Sequence, residues 1–216
     1  MPIQLGATGI TFHDNTVQTT AATAGGSLQT QIFTSPGTFT TPASTTQVRV
    51  TVVGGGGGSA GPGRPQPSFS GGTSSFSTLV SASGGSGAPN GPGGPVSPGS
   101  GSVSVGTTII SSYAGTNGPN ITPSATYISG AFVGGISTNA LNSVAYSVSN
   151  RDNGAGAAGG PYSNPVAGGG AGGLAVAIVP VTASTSYPIS VGSGGPGAVS
   201  SRFGGIGGVV IVEFVG

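Results

Sequence analysis

Few side chains in this 216-residue sequence can do acid–base or ligand chemistry: His13, Asp14, Asp152, Glu213 and the arginines 49, 64, 151 and 202. A Ser-His-Asp relay needs a serine beside a histidine that a carboxylate orients. His13 is the single histidine, and it precedes Asp14 in His13-Asp14-Asn15-Thr16. That run of turn formers predicts a polar turn rather than a relay. Glycosidic cleavage needs two facing carboxyls, which would have to be Asp152 and Glu213. Glu213 falls in an apolar run where an arginine partner is expected. Asp152 falls in Asn150-Arg151-Asp152-Asn153-Gly154, which reads as a solvated loop tip. With no cysteine, neither a disulfide framework nor a thiolate metal site can form, and the other ligands are too few for a metal centre. The expectation is a protein that is not an enzyme and holds no cofactor.

Gly56, Gly58 and Gly61 match the dinucleotide fingerprint directly after a strand-like run. The fingerprint works only if a helix opens there and presents its N-terminal amides to pyrophosphate. Pro62, Pro65 and Pro67 follow instead, and no acid lies where a ribose would need one. Four scattered arginines make no basic patch, so nucleic acid is not an expected partner. Asn120-Ile121-Thr122 is a glycosylation sequon that nothing else in the chain supports. The more informative stretch is Gly101–Asn164. It carries Tyr113, Tyr127, Tyr146 and Tyr162 among seven asparagines. Tyr offers rigid amphipathic area, and Asn both donates and accepts, a pairing suited to neutral sugars. The competing reading is that these tyrosines are strand residues packed in a core. Candidate contact residues for a host surface glycan are Tyr113, Tyr127, Tyr146, Asn150, Arg151 and Asp152.

The elements that would position these residues are short strands. There are 46 glycines and 17 prolines, only 3% of residues are charged, and mean hydropathy is +0.24. Glycine at that level exceeds the usual ~7% about threefold, yet the tracts sit between β-branched runs and show no collagen period. Gln47–Val53 alternates, with Val48, Val50 and Val52 facing a core and Arg49 and Thr51 facing out. Leu174–Val179 and Val209–Phe214 are apolar on both faces, which predicts central strands or a subunit contact. Further strands are expected at Ser75–Ser81, Ser102–Ile110, Thr126–Ile128, Ala131–Val133 and Ser143–Ser149. Pro188 within Tyr187–Val191 predicts an edge strand. Pro36-Gly37 predicts a type II turn. No helical period occurs, so the fold class is all-β, a β-sandwich-like glycine-rich domain. Gly54–Gly58, Gly168–Gly170 and Gly192–Gly197 are either plain loops, the expectation favoured here, or extended rods packed backbone to backbone.

Residues 1–26 lack the glycine tracts. Gly9–Phe12 and Val17–Thr20 read as strands too short to bury a core alone, so this segment is expected to attach or oligomerise. The glycine-rich β domain would span 27–216, with an inserted stretch near 101–164. Met1–Leu5 carries no basic segment before an apolar run, and no run approaches 18 apolar residues, so neither a signal peptide nor membrane insertion is expected. Net charge of +1 favours life inside an assembly.

Gly9–Ala21 resembles a segment common in fibre and appendage proteins of tailed bacteriophages. Phe33–Ala43, Val48–Gly58, Gly172–Val179, Tyr187–Gly195 and Gly204–Glu213 together resemble the glycine-rich domain of such fibres, in the same order and over most of the chain. In that family the first of these motifs is a hairpin. Gly101–Asn164 departs from the pattern as an apparent insertion. The resemblance implies a structural virion component on the particle surface, most simply a homotrimer. Residues 1–26 would join other virion proteins, and the exposed body would act as a tail fibre or adhesin. A capsid decoration or head-fibre protein without receptor binding is the alternative, and a depolymerase a third reading.

Overall fold

The computed structural model describes residues 4–6, 9–11, 17–18, 26–59, 68–89, 97–104, 107–115, 154, 168–197 and 204–215. Three short strands, β1 (Gln4–Gly6), β2 (Gly9–Thr11) and β3 (Val17–Gln18), form a small antiparallel sheet of their own. β2 and β3 fall within the two expected strands. The rest of the expected N-terminal runs lies outside the described residues.

Ten further strands make two five-stranded antiparallel sheets packed as a sandwich. In chain order they are β4 (Leu28–Phe33), β5 (Gly37–Thr40), β6 (Gln47–Val53), β7 (Ser74–Phe76), β8 (Val80–Ala82), β9 (Gly101–Val103), β10 (Thr108–Tyr113), β11 (Leu174–Pro180), β12 (Ser186–Ser190) and β13 (Val209–Val215). Sheet one runs β10-β11-β6-β13-β4 and sheet two β5-β12-β7-β8-β9. Alternation in β6 buries Val48, Val50 and Val52 between the sheets, with Phe39, Phe76, Val80, Ala177, Val179, Ile189, Val210 and Val212. Phe39 lies at the centre of this core, 5.2 Å edge-on from Phe214 and 6.1 Å from Phe76, which stacks on Tyr187 at 5.2 Å. The doubly apolar strands β11 and β13 are central, as their composition predicts, and no helix occurs among the described residues.

Several local expectations are corrected. Ser75–Ser81 is not one strand: the chain turns at Ser77 (φ 49°), and Leu79 N–H donates to Phe76 O, separating β7 from β8. Ser102–Ile110 likewise divides into β9 and β10. Thr126–Ile128, Ala131–Val133 and Ser143–Ser149 lie outside the described residues. β12 is an interior strand despite Pro188. The Pro188 carbonyl accepts from Ser77 N–H at 2.7 Å, so its nitrogen faces the side where β7 has already turned away and no donor is required. The strands flanking Pro36-Gly37 belong to opposite sheets, so this turn is an arch across the sandwich rather than a hairpin. Thr51 faces out but is buried.

The glycine tracts are not loops. Every strand from β6 to β13 continues at one end of the sandwich into an extended segment outside both sheets, among them 54–59, 68–73, 83–88, 97–100, 168–173, 191–197 and 204–208. Successive amides of 54–58 donate to different neighbours. Gly54 and Gly57 bond Gly173 O and Gly170 O, Gly55 and Gly58 bond Gly72 O and Phe69 O, and Gly56 bonds Ile206 O, all at 2.9–3.0 Å. The partner repeats every third residue, which is the period of a polyproline II helix. The same spacing joins Gly170 and Gly173 to Ser86 and Ser83, and Gly205 and Gly208 to Gly195 and Gly192. Such rods have no internal hydrogen bonds, so every bond is spent between neighbours and the buried amides are satisfied.

The rods approach too closely for side chains. A Cβ on Gly57 would fall against the carbonyl of Ser86, and one on Gly172 against that of Gly54, both under the 3.0 Å that real Cβ atoms respect. At Gly207 the nearest atom is 3.5 Å away, an ordinary contact. Gly57→Ala is therefore expected to cost about 3 kcal/mol or more by overpacking, and Gly207→Ala less than about 1 kcal/mol. Denaturant unfolding of the two variants beside the wild type checks the contrast.

Candidate functional site

The rods give the body two unlike ends. β4 starts at Leu28 opposite Val215, whereas the rod-bearing end of β13 is Val209. The chain therefore enters β4 at the base of the sandwich, and the rods project from the other end. At their far tips, Gly58, Phe69, Ala88 and Pro196 form one hydrogen-bonded cross-section. Gly58 N–H donates to Phe69 O at 2.9 Å, Phe69 N–H to Pro196 O at 3.3 Å, and Ala88 N–H to Gly58 O at 3.0 Å. Ser68 ties in through its hydroxyl, which donates to Ala88 O at 2.6 Å. The described rods reach this end at Ser59, Ser68, Pro89, Gly168, Gly197 and Gly204, whereas Gly115, whose N–H donates to Gly99 O at 3.0 Å, lies at the rod foot. Several described rod ends thus share one platform, far from the base.

Phe69 is the side chain that sequence reasoning missed. Its backbone is bonded on both sides while its ring is 60% exposed. An aromatic ring held by a fixed backbone offers contact area at little entropic cost. The available signal was Ser68-Phe69-Ser70, an aromatic between small residues at the mouth of a glycine pair.

Of the residues expected to meet a host, Tyr113 ends edge strand β10, opposite Leu174, at the foot of the rods. Tyr127, Tyr146, Asn150, Arg151 and Asp152 lie outside the described residues. Gly154 was expected at a solvated loop tip but is buried at the rod foot. Its N–H donates to Gly207 O and its carbonyl accepts from Gly172 N–H, both at 2.9 Å. Its φ of 78° suits glycine. The 101–164 stretch therefore contributes a structural residue to the rod array.

The dinucleotide reading fails on geometry as well. The amides of Gly56 and Gly58 are already bonded to Ile206 O and Phe69 O, which leaves no cradle for phosphate. Among the described residues no three His, Cys, Asp or Glu side chains gather. The described charges are Arg49 and Glu213, cross-strand neighbours on the outer face of sheet one. Nη1 meets Oε2 at 2.6 Å, with side chains 47% and 23% exposed. This is the arginine partner expected for Glu213. No family model and no curated protein matches the chain. A half-exposed pair contributes little, so Arg49→Ala is expected to change unfolding free energy by less than about 1 kcal/mol. Chemical denaturation at low and high salt measures this.

Proposed function

We propose that this chain is a structural virion protein of a tailed bacteriophage, a fibre or adhesin on the particle surface that contacts the host by non-catalytic binding. The observation that carries the reading is the polarity of the body. The chain enters β4 at the base, and the rods hold Phe69 and the rod ends at Ser59, Ser68, Pro89 and Gly197 at the opposite end. Binding residues concentrate on connections carried by a rigid scaffold. The ordered likeness of the glycine-rich motifs to phage fibre domains supports the same assignment. Tyr113, Tyr127, Tyr146, Asn150, Arg151 and Asp152 remain the candidate contacts, with a surface glycan as ligand, and Phe69 joins them. Residues 1–26 attach the protein to other virion proteins. Each site binds weakly, and several copies acting together raise the avidity.

Labelled protein applied to host cells is expected to attach, with no more than about a twofold change in binding between low and physiological salt, because few ion pairs are open to screening. Replacing Tyr113, Tyr127 and Tyr146 by alanine is expected to abolish attachment while the circular dichroism spectrum stays that of a folded β protein. Attachment that survives, together with antibody labelling of the capsid rather than the tail, would instead assign a decoration protein. Deleting residues 1–26 is expected to leave a folded body that no longer enters the particle, scored by blotting purified virions.

A further inference from the structure

The outer face of sheet one is covered along one half and bare along the other. Toward the rods, Val53, Leu174, Val176 and Val209 form a second buried cluster. Toward the base the cover ends. Leu28 is 70% exposed, Ile32 62% and Val215 52%, and the register puts all three on this face, with Thr30 between them. The same patch carries the Arg49–Glu213 pair. Among the described residues β4 is also an open edge, six residues without charge or proline, whereas β10, the other edge of the sheet, is interrupted by a bulge. Edges are normally guarded by charge, proline or bulges, and an unguarded one invites pairing or cover.

We propose that this half-face is where a second copy of the same chain packs. The charges favour a copy over any strongly charged partner. The patch holds one cation and one anion side by side, so it is neutral and complementary to itself, and the strand leading into it adds no charge to repel its equal. Its place at the base, where residues 1–27 enter, means that N-terminal segments gathered on a particle bring these faces together. Copies attached through one end must run parallel, so their faces turn inward around an axis along the strands and their rod tips point the same way. That orientation rests on the virion reading; the self-association of the face does not.

Sedimentation velocity of the full chain at micromolar concentration tests the assignment. The wild type is expected to sediment as an oligomer, and the Leu28→Lys/Ile32→Lys double variant to associate at least tenfold more weakly. Both positions are exposed, so the variant should retain the wild-type circular dichroism spectrum. The chain has no cysteine, so Thr30→Cys is expected to cross-link copies on mild oxidation, and Ser102→Cys on β9 of the other sheet is not. A monomeric wild type overturns the proposal. So does an oligomer that is indifferent to the lysines and not cross-linked through position 30, which would leave the face to a different virion protein. Neither result bears on host attachment, which is scored on cells.

Discussion

The structure depends on backbone meeting backbone with nothing between. Where rods pass, the hydrogen that stands in place of a glycine Cβ points at a neighbour's carbonyl, as at Gly57 against Ser86 and Gly172 against Gly54. That spacing lets each amide reach a carbonyl on an adjacent rod, and it permits weak Cα–H···O contacts as well. A methyl group at such a point separates two rods and breaks bonds on either side of it. The high glycine content follows from this close approach.

These rods are not self-supporting. Ordering a residue costs roughly 1–2 kcal/mol and glycine loses the most freedom, while a net hydrogen bond returns only about 0.5–1.5 kcal/mol. The sandwich makes up the difference. Strands β6 to β13 lead into rods, so sheet register sets where each rod starts and which carbonyl faces which amide. The sheets themselves are held by ordinary means, an apolar core centred on Phe39 and a hydroxyl-tied base. There Thr41 Oγ1 donates to Thr182 O at 2.6 Å and accepts from Thr185 N–H at 2.9 Å, and Thr45 Oγ1 donates to Val215 O at 2.9 Å.

This division of labour holds the far ends of the rods at a fixed distance from the base. The interior of the rod array is mostly backbone, with few and small side chains such as Ala88 and Ala171. Phe69 shows how an exposed aromatic is held there, its backbone within the array and its ring outside it. The array also takes in Gly154, which is bonded between Gly172 and Gly207.

The all-β class, the central places of β11 and β13 and the inward valines of β6 were legible in local pattern, because side-chain alternation and β-branching act within a single strand. The Arg49–Glu213 pair was half legible, since an acid in an apolar run calls for a partner. The rods stood only as the alternative to loops, although Gly84-Gly85-Ser86-Gly87 and Gly204-Gly205-Ile206-Gly207-Gly208 carry their three-residue period. A glycine that permits a loop and one that permits close approach look alike until the neighbour is present. Pro188 misled for a related reason: whether its missing N–H matters depends on where β7 ends. The sequence by itself determined which residues form strands and which lack side chains. Tertiary structure decided which glycines face which carbonyls, and that the rods share one end of the sandwich, because those facts belong to pairs of segments far apart in the chain.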